Sequence, residues 1–592
     1  MIGADLLSEP SRLLSEDGYR AFDWLESAKF RWWARERLLQ GELPLWNPFL
    51  EGGMPSYAHP SDPSLSPFFV TALLFGPLLS MKVDAAVLLL LAGLGSYLLA
   101  QRWLAMAPAA AAFVGVSVAS SGWLPSRLAV GFYESLWLCV FPLVAYLLLR
   151  GLDQGGPLRG GARCFVAAAL LLAAAGIQMQ LCLAFAVLQL LLLGMLGPRG
   201  QTYGRLGTLS AVSALTLMVA LLGAVKFLPM LELLVERGGR DGYYPRELAF
   251  LGPLKVQLAG LMSTADVVGS YGPSGLPSAP EYSYVGLQMP AALLALVGLA
   301  ASGRRGLSVG LLAVVTLLLS WRSGDGLQLS LFEPLSWLPL FSSVRDTARY
   351  VPFFLLLWLS LLAGLGVQVV LRRLLATQGS LRALLLYSLV LLTMVPGAID
   401  AARVCGEVFS ESLTLPTERD AHLRHVRLEG NPSIGSLESR RAIYLAPLGG
   451  EGVLYEPEDL PPRRPSGVRP AAIISPSGER VAQPGYGGEL RVLDGAARLS
   501  PLQLDGADLV FFLRADQATV LELNHNYHRG WRAPAGLELF DSEGLLGLRT
   551  RSSWDGEVQL QFAPRMFWIG GSFSLLGLAL AGLLCFVGVR RD

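Results

Sequence analysis

The sequence predicts a mainly α, polytopic helical membrane protein with an extracytoplasmic β-rich domain inserted before the last transmembrane helix. Three observations predict it. Of 592 residues, 53% are hydrophobic and only 16% charged, and the mean hydropathy is +0.47; a chain this apolar belongs mostly inside a membrane. Apolar runs of spanning length recur before residue 400, and one more fills 566–589. Between them, residues 401–563 carry 17 basic and 22 acidic side chains, a density that fits water and not lipid.

The expected layout runs in chain order. Residues 1–64 form an outer loop with an amphipathic interfacial helix over 20–40: Phe22, Leu25, Ala28, Trp32 and Leu39 recur at helical spacing, while Lys29, Arg31, Arg35 and Arg37 supply charge. Residues 65–400 form the multi-helix transmembrane region. Its apolar runs lie near 83–104, 108–123, 131–149, 163–178, 179–197, 207–231, 284–301, 305–320, 348–371 and 381–400. A run at 65–81, broken by Pro67, Gly76 and Pro77, spans or lies at the interface. The total is roughly 10–12 spans. Residues 401–563 read as short alternating strands separated by Gly and Pro, the pattern of a sandwich, with 456–488 as loop. Residues 564–592 hold the last helix, which ends in Arg590 and Arg591.

Basic residues in the short loops set the orientation. Arg150, Arg159 and Arg163, then Arg199 and Arg205, then Arg304 and Arg305, then Arg372, Arg373 and Arg382 alternate consistently with a cytoplasmic location. Loops 232–283 and 321–347 and the domain 401–563 then face outward. Residues 1–64 carry six Arg or Lys and no apolar segment to lead them across, so a membrane helix ahead of Met1 is expected.

Several chemistries are disfavoured. A net charge of +1 provides no field for nucleic acid. The five cysteines (139, 164, 182, 405 and 585) contain no CxxC and no plausible pair. No phosphate-binding glycine loop, dinucleotide fingerprint or hydrolase nucleophile motif occurs in usable context. The apolar runs carry few ionisable residues, which counts against proton-coupled transport. The pairs His422/His425 and His525/His528 have helical i, i+3 spacing, yet the run NHNYHRGWR at 524–532 reads as a turn into a strand, so these histidines are expected to serve the fold.

The remaining candidates face outward. Asp17 and Asp23 precede GELPLWNP at 41–48 and Gly52-Gly53; Arg345 and Arg349, in RDTARY at 345–350, sit one helical turn apart. Paired arginines at a headgroup-level helix start suit a phosphate; they suit lipid anchoring equally, and the acids also fit solvated loop positions.

The chain carries GELPLWNPFLEGGMP at 41–55, LLLLAGLGSYLLAQRWL at 88–104, ASSGW at 119–123, LPMLELL at 228–234, SYGP at 270–273, YSYVGL at 282–287, RDTARY at 345–350, NHNYHRGWRA at 524–533 and FAPRMFWIGGSFSLLGL at 562–578. In the order and spacing of these motifs it resembles the bacterial YfhO-like membrane proteins of the GT-C glycosyltransferase superfamily. The resemblance covers nearly the whole chain. Gly176-Ile177-Gln178 departs from the Gly-His-Pro-Gln-like run of similar proteins. The resemblance implies a GT-C-like fold and sugar transfer from a polyprenyl-phosphate donor to an envelope glycan, lipid or protein acceptor at the outer face of the bacterial inner membrane. It implies a catalytic acid in the first outer loop, at Asp23 with Asp17 second, and a donor phosphate held by Arg345 and Arg349. Trp46, Asn47, Pro48, Gly52 and Gly53 are expected to shape the site. Membrane lipids are expected partners, nucleic acid is not, and a divalent metal stays open. A flippase or transporter of lipid-linked sugars and a non-catalytic envelope assembly protein are the alternatives.

Overall fold

The computed structural model describes residues 12–14, 22–123, 127–128, 133–158, 160–196, 204–237, 289–319, 350–374, 411–413, 422–429, 437–455 and 467–589, with a few isolated positions between them. The apolar runs up to residue 371 become helices, and glycine and proline decide where they break; the run expected at 381–400 lies, but for isolated positions, outside the described residues. After α1 (Phe22–Leu39), α2 covers Val70–Leu104 and joins the two runs read as separate, 65–81 and 83–104. Gly76 takes φ 79° and ψ 171°, and Pro77 follows without an N–H. The axis kinks there and resumes, so 65–81 makes the bent entry to one long helix and no span of its own. The part beyond Pro77 is about 40 Å long at 1.5 Å per residue, enough to cross.

There follow α3 (Pro108–Ala119), a 3₁₀ stretch Tyr133–Val140 that leads directly into α4 (Phe141–Asp153), α5 (Ala162–Gln178) and α6 (Gln180–Leu196). The single run expected over 207–231 divides at Gly223 into α7 (Gly204–Leu222) and α8 (Ala224–Arg237). Then come α9 (Met289–Ala301), α10 (Gly303–Leu319) and α11 (Val351–Leu374). Counting α13 (Arg565–Val589) at the chain's end, five helical segments among the described residues are long and apolar enough to cross a membrane: 67–104, 133–153, 204–222, 351–373 and 565–587. Small residues set the packing distances. A Cβ on Gly298 of α9 would lie 1.9 Å from the Leu362 carbonyl oxygen of α11, and one on Gly366 of α11 would lie 2.0 Å from that of Leu294. Close backbone approach of this kind replaces the missing hydrophobic drive between helices in lipid.

The helix ends that bear Arg150, Arg305 and Arg372, assigned to one side by charge, share one end of the bundle. Arg102 pairs with Asp153 at 2.8 Å, Arg305 donates to the Leu104 carbonyl at 2.9 Å, and Gln368 accepts from the Ala107 amide at 3.0 Å. The opposite end carries α1 and the β-rich region.

Ahead of that region β1 (Arg12–Leu14) and β2 (Glu411–Ser412) pair antiparallel; the region itself has two parts. Residues 422–482 form a small α/β unit: β3 (Arg424–Leu428) runs parallel to both β4 (Glu451–Leu454) and β5 (Ala472–Ile474), α12 (Leu437–Leu448) connects β3 to β4, and β6 (Arg480–Ala482) closes the sheet antiparallel. This departs from a sandwich throughout, and it places two strands inside the stretch expected as loop. Parallel strands need a crossover helix, and α12 supplies it. Beyond it stands the sandwich. One sheet has the order β12 (Trp531–Arg532), β15 (Trp554–Phe562), β10 (Asp508–Ala515), β8 (Ala497–Leu499), with β9 (Gln503–Asp505) also on β10; the other runs β13 (Leu537–Ser542), β14 (Leu545–Thr550), β11 (Val520–Asn526), β7 (Leu490–Asp494). Leu509, Phe511 and Leu513 of β10 and Val558, Leu560 and Phe562 of β15 are buried in strict alternation. Each such side chain contributes about 1.5–3 kcal/mol relative to exposure.

Candidate functional site

Two motifs picked out separately in the sequence are partners. In the loop 41–55, Asn47 and Met54 exchange backbone hydrogen bonds at 2.8 and 3.0 Å, and the Asn47 carboxamide accepts from the Phe49 amide at 3.0 Å. The turn between them docks on the β-rich region. The Glu51 amide donates to Val453 at 2.9 Å, and the Val453 amide donates to Phe49 at 2.8 Å. The Asn526 amide reaches Gly52 at 2.8 Å, and its side chain reaches Gly53 at 3.0 Å. The Trp46 indole donates to His525 Nε2 at 2.7 Å and packs on Trp531 and Phe562, with ring centroids 4.9 and 4.6 Å away. Gly53 has φ +97°, and a Cβ there would fall 2.2 Å from His525 Nε2, so this close approach requires glycine. Trp46, Asn47, Gly52 and Gly53 thus join the first loop to the sandwich, with Pro48 in the same turn.

His525 serves this junction. It is fully buried, and accepting at Nε2 leaves the proton on Nδ1. Burial, with buried His425 close by, holds its pKa well below the usual histidine range. His425 itself bonds through Nδ1 to Glu489 at 3.1 Å. The pairing that forms is therefore 425 with 525, ring centroids 5.9 Å apart, and neither i, i+3 pair acts as a unit. The pH dependence has a definite sign. Unfolded His525 takes up a proton near pH 6.5 and folded His525 does not, so stability is full above that pH and declines below it. Thermal unfolding midpoints of the wild type are expected to fall between pH 7 and 5 more steeply than those of His525→Gln. Equal slopes would remove His525 as the titrating group.

Beneath α1 lies a second assembly, built of charges buried against apolar helices. Arg31 pairs with Asp84 of α2 at 2.9 Å and donates to Ser80 at 3.0 Å. Tyr133 donates to Asp84 at 2.5 Å, with its ring under the Arg31 guanidinium. Two residues nearer the start of α1, Lys29 contacts Glu26 at 3.2 Å and the Tyr455 hydroxyl, and Tyr455 bonds back to Glu26 at 2.8 Å. Lys226 of α8 is fully buried and donates to the carbonyls of His59 and Asp62 at 2.5 and 2.8 Å. Asp62, also fully buried, accepts from the Ser56 hydroxyl and, at 2.8 Å, from the Ser64 amide.

These placements change one expectation. The helix expected over 20–40 is present as α1, but its basic residues form no solvated face: Lys29, Arg31 and Arg37 are buried, as are Trp24 and Trp33. Sequence reasoning missed Asp84, Tyr133 and Asp62. Lys82 and Asp84 inside an apolar run were the available signal, since intramembrane ionisable residues mark function by default. Of the expected catalytic and phosphate-binding residues, Asp23 occupies the second position of α1, with its side chain outside the described residues. Its backbone lies three residues before Glu26, a spacing that shares a helix face. Asp17, Arg345 and Arg349 lie outside the described residues; Tyr350, which follows, is buried and stacks on Phe185 at 5.2 Å. Among the described residues, no group of three or more metal-ligating side chains converges.

Fold and buried charges together define a polytopic helical membrane protein with a β-rich region before its last helix. No protein-family model matches the chain, and neither does a curated protein. Among solved structures the chain is similar to ArnT from Cupriavidus metallidurans bound to undecaprenyl phosphate, with 14% identity, 77% of this chain and 83% of that one covered, and a TM-score of 0.39. It is also similar to the apo oligosaccharyltransferase of Archaeoglobus fulgidus, with 13% identity, 78% and 64% coverage and a TM-score of 0.45. A third is arabinofuranosyltransferase AftD from Mycobacteria, with 12% identity, 95% and 41% coverage and a TM-score of 0.40. The chain thus spans less than two thirds of the latter two proteins.

Proposed function

We propose that this chain is a GT-C-type membrane glycosyltransferase that moves a sugar from a polyprenyl-phosphate donor to a cell-envelope acceptor at the outer face of a bacterial inner membrane. The observation that carries the reading is the set of charges buried where α1 meets α2 and Tyr133, at the end of the bundle that bears the β-rich region. Charged groups held inside apolar helices are costly and are kept for function. A donor with a lipid tail also demands a site in a membrane wall.

In the proposed reaction an acceptor hydroxyl attacks the anomeric carbon as the bond from that carbon to the phosphate oxygen breaks. Asp23 takes the hydroxyl proton, with Asp17 the second choice. Polyprenyl phosphate leaves with the bonding electrons, and Arg345 and Arg349 stabilise its growing charge. Trp46, Asn47, Pro48, Gly52 and Gly53 shape the site by holding the first loop in place. The acceptor is a glycan, a lipid or a protein of the envelope.

The test is incorporation of radiolabelled sugar from polyprenyl-phosphate donors by membranes containing the chain. Incorporation no higher than in membranes lacking it, across the donors offered, would overturn the reading. Within it, Arg345→Ala and Arg349→Ala are each expected to raise the donor KM or reduce turnover by roughly tenfold or more, since a charge-assisted contact contributes about 1.5–3 kcal/mol. Lysine should restore only part of this, because a point charge lacks the planar fork. Wild-type kinetics in both alanine variants would leave headgroup anchoring as their role.

A further inference from the structure

The two sheets of the sandwich each end in an edge strand, β12 in one and β13 in the other. A cleft of about 560 Å³ opens between them, within the common range for small-ligand sites. Its lining includes Tyr527, Arg529, Arg532, Leu537, Glu538 and Arg551. Three arginines around one cleft are unequal in their commitments. Arg529 is tied to Glu232 of α8. Arg551 is held loosely by Glu538 at 3.5 Å, both being exposed. Arg532 donates only to the backbone carbonyls of Arg529 and Trp531, each at 3.3 Å, and has no carboxylate partner among the described residues. Its planar fork is available to an oxyanion.

The position of the cleft narrows the ligand. The last strand, β15, ends at Phe562, and α13 begins at Arg565. α8 packs along α13: the Val225 amide donates to Ser574 at 3.0 Å, and Gly570 rests on Ala224. Glu232, two turns further along α8, therefore meets Arg529 near the point where α13 leaves the sandwich. The first turn of α13 exposes Trp568 (58%) beside Arg565, the residue types that sit at a bilayer's headgroup level.

We propose that this cleft binds the phosphate of an anionic membrane lipid headgroup, with Arg532 as its main contact and Arg551 released from Glu538 to assist. The site is separate from the charges beneath α1 and stands whether or not the chain transfers sugars. Inorganic phosphate offers the same oxyanion without the tail, so the two must be compared directly.

The experiment uses the full chain, purified in detergent and stripped of lipid, with phosphatidylglycerol, phosphatidylcholine and sodium phosphate offered separately and binding read by native mass spectrometry. A photoreactive phosphatidylglycerol locates the contact. Phosphatidylglycerol is expected to bind more tightly than either alternative and to label the segment 527–539. Arg532→Gln and Arg551→Gln should each weaken it about tenfold, the size of one charge-assisted contact, with partial recovery in Arg532→Lys. Unfolding midpoints equal to wild type establish that the variants are folded. Undiminished binding in both glutamine variants, labelling elsewhere, or equal affinity for inorganic phosphate would overturn the proposal. So would displacement of the lipid by an acidic oligosaccharide, which would make the cleft a glycan site.

Discussion

Asp23→Asn is expected to cut sugar transfer by roughly 10²–10⁴-fold, the usual contribution of a positioned general base, while donor KM changes little. The carboxamide keeps the shape of the carboxylate and cannot take a proton. Folding should be nearly unaffected. Asp23 is the second residue of α1, where a negative charge gains about 0.3–1 kcal/mol from the helix dipole, and the substitution removes that small gain. Turnover of purified protein and its thermal unfolding midpoint, taken on one preparation, separate the two effects. If activity falls only in proportion to the folded fraction, the role of Asp23 is structural. If neither Asp23→Asn nor Asp17→Asn loses turnover, the first loop holds no catalytic base and the proposed mechanism fails.

Local features of the sequence were readable; long-range pairings were not. Apolar runs located the helices because hydropathy depends only on neighbours, and the break at Gly76-Pro77 was visible even though its outcome, one kinked helix, was not. Alternation found β10 and β15 in the sandwich. It missed the α/β unit because parallel strands have no adjacent hairpin to announce them; Arg424–Leu428 and Glu451–Leu454 are joined only through α12. The buried site was the least readable. Arg31 meets Asp84 across 53 residues, Lys29 meets Tyr455 across 426, and Trp46 meets His525 across 479. An amphipathic pattern identifies a helix, but it cannot distinguish a basic face in water from one neutralised by partners elsewhere in the chain. In α1 the second case holds.

That neutralisation leads to a stability prediction. Asp84→Ala should destabilise the protein by about 3–5 kcal/mol, the cost of leaving a buried charge without its partner. The Arg31 guanidinium would keep Ser80 and Tyr133 as neighbours, and neither carries a compensating negative charge. Arg31→Ala strands Asp84 in the same way and should cost a similar amount. The pair as a whole is a different matter, because desolvating two ions offsets most of their attraction. Arg31→Met with Asp84→Leu should therefore recover much of the loss, giving a double-mutant cycle with a coupling of several kcal/mol. Unfolding midpoints in detergent measure all four species. Additive losses would mean that the two charges are hydrated and independent. A well-folded Met/Leu variant that no longer transfers sugar would show that the pair is kept for the chemistry and not for the fold.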